Sequence, residues 1–203
     1  MKILNLYAGI GGNRKLWGEN HEITAVELDP KIAKIYTHFF PNDTVIIADA
    51  HQYLLDHFKE YDFIWSSPPC PTHSRMRTLH NVQENVQDKY PDMKLYQEII
   101  LLKHFFKGKY VIENVISYYD PLIKPQRCNN HYFWTNFIIS DIGKDKRKIR
   151  YGELEYKQIR NGFNLKQFDV PTRFKERILN NCVKPDVGLH IFNMAFKHKQ
   201  STL

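Results

Sequence analysis

Two short segments carry residue types that can do covalent chemistry. Ser67-Pro68-Pro69-Cys70 sets a cysteine behind two prolines at the end of an apolar run, and Glu113-Asn114-Val115 sets a carboxyl and a carboxamide at the end of another. A thiol held on a rigid, exposed turn suits a nucleophile better than a packing residue, the plainer alternative being a buried, inert cysteine. A carboxyl that donates a proton or hydrogen bond would stabilise an electron-rich ring. Together the two segments point to attack on a ring carbon.

A third motif follows the first apolar run: Tyr7-Ala8-Gly9-Ile10-Gly11-Gly12. Glycines in a strand-to-helix turn let the backbone approach a ligand and expose N–H groups, although a tight corner alone would also use them. Glu27 ends the second run, where an acid can bond the two hydroxyls of a ribose. Asp49 ends the third run and is expected to meet an adenine amino group, while Asp29 reads equally well as the cap of a helix at Pro30. Acids beside a glycine turn fit a nucleoside without phosphates, so S-adenosylmethionine is favoured over NAD.

These residues need a scaffold that brings strand ends together. Short apolar runs at Ile3–Tyr7, Glu22–Glu27, Thr44–Ala48, Tyr61–Trp65 and Lys109–Ile112 read as buried parallel strands. Helical patterns at Asn13–Glu19, Pro30–Phe40, Gln52–Phe58 and Asp92–Phe106 alternate with them. In the last, Met93, Tyr96, Ile99, Ile100, Lys103 and Phe106 recur at helical spacing and predict the core face. The series is that of an α/β fold with a doubly wound, mostly parallel sheet, whose ligands gather at the carboxyl ends of the strands. Further on, His131–Ile139 reads as a strand and residues 141–175 as polar, weakly periodic chain. Lys144, Lys146, Arg147, Lys148 and Arg150 there read as a solvated loop rather than a binding patch. Pro185-Asp186 opens a helix with Val187, Ile191, Met194 and Ala195 as its apolar stripe.

Composition bounds the partner and the compartment. The 203 residues allow one well-cored domain, and 29 Lys and Arg against 22 Asp and Glu favour a polyanion. Cys70, Cys128 and Cys182 are far apart and include no Cys-x-x-Cys pair for zinc, which argues against a disulfide framework. The first residues run into a strand without the apolar core of a signal peptide, and no stretch reaches membrane-spanning length, so a cytoplasmic protein is expected.

In order and spacing, the glycine turn, Glu27-Leu28-Asp29, Asp49-Ala50, Pro68-Pro69-Cys70 and Glu113-Asn114-Val115 resemble the DNA cytosine-5 methyltransferase family. Arg127, His131-Tyr132-Phe133-Trp134-Thr135-Asn136, Asn181-Cys182-Val183 and Gly188-Leu189-His190-Ile191 resemble its later elements, in the form of short phage-type and bacterial members. The resemblance implies an S-adenosylmethionine-dependent, Rossmann-like methyltransferase with a much reduced target-recognition region, acting on double-stranded DNA. It implies that Cys70 adds to C6 of a flipped-out cytosine, that Glu113 meets N3, and that Asn114 holds the glutamate loop or contacts the base. Arg127 would contact the cytosine carbonyl oxygen, with a phosphate contact or a salt bridge as alternatives. For the methyl donor it implies Tyr7, Gly9, Ile10, Gly11, Gly12, Glu27, Leu28, Asp49, Ala50, Pro69, Asn181 and Val183.

The division that follows is a catalytic and donor-binding core over 1–139, a reduced recognition region over 140–180 and a C-terminal segment over 181–203 that packs back on the core. Pro71 stands where the family has glutamine, and His73 behind it reads as a base or backbone contact. The polar stretch Thr72–Pro91, with Arg75, Arg77 and His80, reads as a loop closing over the extruded base. Arg160, Lys166, Arg173, Lys175 and Arg177 are candidate phosphate contacts. Either recognition is short, or a homodimer or accessory recognition subunit completes it. The same catalytic residues also suit RNA cytosine. Methylation of an exocyclic amine and an inactive nucleic-acid-binding relative are the remaining alternatives.

Overall fold

Neighbouring residues of the central strands are both apolar: Ile3 and Leu4, Ile64 and Trp65, Val111 and Ile112, Phe133 and Trp134. Successive side chains of a strand point to opposite faces, so such runs are buried only in a sheet covered on both sides. The computed structural model, which describes residues 1–75, 90–143 and 154–197, contains that sheet. Its strands are β1 (Lys2–Leu6), β2 (Glu22–Glu27), β3 (Thr44–Ile47), β4 (Phe63–Ser66), β5 (Lys109–Val115), β6 (Gln126–Cys128) and β7 (His131–Thr135). They lie in the order β3-β2-β1-β4-β5-β7-β6. β1 to β5 are parallel, whereas β7 runs antiparallel to β5 and β6 antiparallel to β7. The doubly wound, mostly parallel architecture expected from the sequence is the one observed.

The helices are α1 (Pro30–Phe39), α2 (Ala50–His57), α3 (Lys94–Phe105), α4 (Leu154–Asn161), α5 (Thr172–Asn180) and α6 (Pro185–Phe196). On one face of the sheet Val187, Ile191 and Phe192 of α6 pack with Ile3, Phe63, Trp65, Val111 and Phe133. The other face carries Leu54 of α2 and Leu95, Ile99 and Leu102 of α3 against Leu4, Leu6, Ile64 and Ile112. A third cluster joins Ile35, Tyr36 and Phe40 to Phe163, Leu165, Ile178 and Leu179, so the later segment shares the core with the strand β1 turn.

Helix α6 lies close against the turn after β1 because Gly188 has no side chain. A Cβ there would lie 2.4 Å from the Asn13 carbonyl oxygen, and Trp17 donates to the Gly188 carbonyl at 3.3 Å while stacking on Phe192 at 5.0 Å. Gly188→Ala gains about 1 kcal/mol of helix propensity but must push α6 off the β1 turn. Overpacking of this kind costs about 1–3 kcal/mol, so a net loss of stability is expected in urea denaturation.

Four local expectations change. Residues 13–19 form turns, not a helix. Asn13 bonds Asn5 at 2.8 Å, and the guanidinium of Arg14, only 1% exposed, reaches Asp43 at 3.0 Å. These buried polar contacts compete with a helical turn. On α3 the buried face is Leu95, Tyr96, Glu98, Ile99 and Leu102, while Met93 and Ile100 are exposed. The strand at His131 ends at Thr135, because the Asn136 side chain bonds Gly108 O and Tyr110 N in place of further ladder. Within 141–175, α4 and the start of α5 are helical. The buried side of α4 is polar (Lys157, Gln158 and Asn161), and it is held by polar bonds, such as Leu165 N to Gln158 Oε1 at 2.6 Å and Asn161 Nδ2 to Leu179 O at 3.1 Å, which erases the apolar period. Arg77 and His80, and the basic run from Lys144 to Arg150, lie outside the described residues.

Candidate active site

In a doubly wound sheet the crevice opens where the strand order reverses, here between β1 and β4. A cavity of about 550 Å³ lies there, within the range of small-molecule sites. Cys70, Glu113 and Asn114 line it with Tyr7, Gly9, Ile10, Gly12, Glu27, Leu28, Asp49, Ala50, Pro69, Asn181 and Val183. Gly11 lies behind this wall, with a φ of +82° and its missing Cβ directed at the Phe40 and Tyr36 rings. It lets the turn pass over α1.

At one end of the cavity Glu27 accepts from Gly9 N at 2.9 Å and from Asp29 N at 3.0 Å, which fixes its carboxylate and leaves lone pairs for a further donor. Asp29 caps α1 by accepting from Lys31 N at 2.9 Å. Asp49 caps α2 through Gln52 N at 2.9 Å, and that bond holds its carboxyl below the usual range. Leu28, 67% exposed, offers an apolar edge beside it. The wall therefore suits a flat apolar group flanked by hydroxyl and amino donors.

At the other end the nucleophile loop is tied to β5. Asn114 Nδ2 donates to the Pro68 carbonyl at 3.0 Å and Asn114 Oδ1 accepts from Val115 N, so the carboxamide holds the cysteine loop. Cys70 O accepts from His73 N and Ser74 N at 2.9 and 3.0 Å, a tight turn that presents the thiol. Burial, and then the charge of Glu113, push that thiol above the ordinary cysteine range. His73 is not a cavity residue: its Nδ1 pairs with the Tyr119 hydroxyl at 2.6 Å, and Ser74 bridges to Ser117. Burial keeps its imidazole below the usual histidine range.

Arg127 is the one proposed catalytic side chain that the fold keeps apart. It is exposed on β6 and does not line the cavity. The antiparallel register instead pairs His131 with Val115, and His131 Nε2 lies 3.6 Å from Glu113 Oε1 within the cavity wall. Sequence reasoning missed this histidine because only the register of β7 on β5 brings it there. Of the candidate phosphate contacts Arg177 reaches the cavity rim, 3.9 Å from Asp29. Lys94 reaches it too, 3.9 Å from Asp49. Among the described residues no helix is long and apolar enough to cross a membrane.

The sequence profile of the family described as C-5 cytosine-specific DNA methylase matches residues 1–121. A tRNA (cytosine(38)-C(5))-methyltransferase of Spodoptera frugiperda is 26% identical over 166 residues, which is 74% of this chain and 48% of that protein. The chain thus spans about half the length of the curated relative it matches. Among the solved structures similar to it at low identity are the following two. A variant of Spodoptera frugiperda DNMT2 is 21% identical with a TM-score of 0.44, covering 75% of this chain and 55% of its own. The Entamoeba histolytica methyltransferase EhMeth is 14% identical with a TM-score of 0.45, covering 73% and 57%.

Proposed function

Because this chain belongs to the C-5 cytosine-specific DNA methylase family, we propose that it methylates C5 of a cytosine in double-stranded DNA by way of a Cys70 adduct. The observation that carries the reading is the opening of Cys70 and Glu113 onto one cavity whose far end holds Glu27 and Asp49. S-adenosylmethionine is the methyl donor, and when bound it supplies an electrophilic methyl group on a sulfonium. The residues fit it: Glu27 would hold the ribose hydroxyls, Asp49 the adenine amino group, and Leu28 the ring edge, with the turn at Gly9 to Gly12 beneath. Asn181 and Val183 close the wall.

Cytosine C5 is a poor nucleophile until C6 carries a new bond. The Cys70 thiolate adds at C6, and Glu113 meets the negative charge at N3 with a proton or hydrogen bond. C5 would then take the methyl group as its bond to the sulfonium breaks; the C5 proton would pass to solvent, the C5–H electron pair would restore the C5=C6 double bond, and the C6–S pair would return to Cys70. Asn114 keeps the thiol in place through Pro68. Arg127, exposed on β6, fits a phosphate contact better than a contact to the base. The division into a core over 1–139, a recognition segment over 140–180 and a closing segment over 181–203 remains our reading of the chain, as do base flipping and a second recognition subunit or homodimer.

RNA is the second reading, favoured by the tRNA substrate named for the Spodoptera relative. Labelled S-adenosylmethionine with matched duplex DNA and tRNA decides between them. We expect label at C5 of cytosine in DNA. Label in tRNA alone would transfer the same mechanism to RNA, and label on neither would leave a binding protein.

A further inference from the structure

One acidic side chain sits on the apolar face of α3 between Leu95 and Leu102. Glu98 is fully buried, yet it is bonded by the cavity residue Tyr7 and by two side chains, His51 and Ser66, that adjoin cavity-lining residues. The Tyr7 hydroxyl donates to its Oε1 at 2.8 Å, His51 Nδ1 lies 3.0 Å from the same oxygen, and the Ser66 hydroxyl donates to Oε2 at 2.6 Å. Tyr7 follows β1 and lines the cavity. Ser66 ends β4, directly before the Ser67-Pro68-Pro69-Cys70 loop, and His51 is the second residue of α2 after Asp49-Ala50.

Tyr7 also has a φ of +52°, in the left-handed region that a tyrosine rarely adopts. Such a conformation persists only where its surroundings over-determine it, and its hydroxyl bond to Glu98 is one such constraint. A buried acid needs partners for its oxygens, so the acid and the three side chains that bond it depend on one another. Burial, followed by the charge of Glu98, raises the Tyr7 phenol far above its ordinary range, so the hydroxyl stays a donor at any working pH.

We infer that Glu98 is a positioning residue: by bonding Tyr7, His51 and Ser66 it sets the shape of the donor end of the cavity and ties it to the strand that presents Cys70. This rests on the donor assignment made above. No other carboxylate among the described residues bonds all three segments.

The test uses S-adenosylhomocysteine as the probe, measured by calorimetry on the full chain, with the melting temperature of each variant alongside. Glu98→Gln replaces one acceptor oxygen by a donor and forces a hydroxyl to reverse. Tyr7→Phe removes a single bond and keeps the rest. Each variant is expected to bind the probe roughly tenfold more weakly, with the double variant little worse than either, because the two changes break the same link. Glu98→Gln should also alter the alkylation rate of Cys70, whereas Tyr7→Phe should not. Unchanged probe affinity in folded variants, with only the melting temperature lowered, would reduce Glu98 to a structural acid and overturn the inference. If Glu98→Gln does not fold, Tyr7→Phe alone decides. Failure of the unmodified chain to bind the probe would instead strike the donor assignment.

Discussion

Cys70→Ala is expected to lower methyl transfer by roughly 10⁴-fold or more, the scale seen when a covalent nucleophile is removed. S-adenosylhomocysteine binding should stay within about twofold, because the proposed donor contacts are Glu27, Asp49 and the glycine turn rather than Cys70. The loop should keep its shape, since its anchors are backbone and Asn114 bonds: His73 N and Ser74 N to Cys70 O, and Asn114 to Pro68 O. A duplex containing 5-fluorocytosine traps the adduct, because fluorine at C5 cannot leave as a proton does. The native chain should give a band that survives denaturing electrophoresis, and Cys70→Ala should give none. A surviving band would assign the bond to another thiol, and retained transfer without any band would favour methylation of the exocyclic amine.

Glu113→Gln should act in two directions at once. On the proposed mechanism Glu113 is the acid at N3 that stabilises the ring after thiol addition, so turnover should fall about 10²–10⁴-fold, the range for a positioned acid or base. The same change removes a negative charge that raises the Cys70 thiol, second only to burial. The thiol pKa should therefore drop. Since thiolate is the form present above the pKa, the pH at which Cys70 is half-maximally alkylated by iodoacetamide should move down in the variant. The signal is taken as the difference from Cys70→Ala, because burial also raises Cys128 and pushes Cys182 up to about 12. A midpoint that moves up, or a turnover that hardly changes, would remove Glu113 from the site. The split matters because a merely misfolded site would lower both rates together.

Much of the scaffold was legible from local patterns. The doubled apolar pairs along the strands specify a sheet buried on both faces, and the glycine turn and the Pro-Pro-Cys and Glu-Asn-Val segments stand at strand ends as their positions require. The Pro185 helix was equally readable, with Val187, Ile191 and Ala195 buried as its stripe predicts. At two of the places where the reading failed, polar side chains had replaced apolar ones at buried positions. The turn at 13–19 is organised by Asn13 and Arg14, and α4 is buried on Lys157, Gln158 and Asn161. A hydrophobic period cannot report such contacts.

The chemical inventory is therefore a property of the sequence by itself: a thiol, a carboxyl, and acids beside a glycine turn, each near the end of its own strand. Which of those groups meet is decided only by the tertiary structure. Arg127 and His131 lie four residues apart, yet the antiparallel register of β7 brings His131 beside Glu113 and leaves Arg127 exposed on β6. Asn114 turns to the Pro68 carbonyl, and Glu98 binds three segments that lie up to 91 residues away along the chain. These are long-range pairings, set by strand order and register, and no local spacing encodes them.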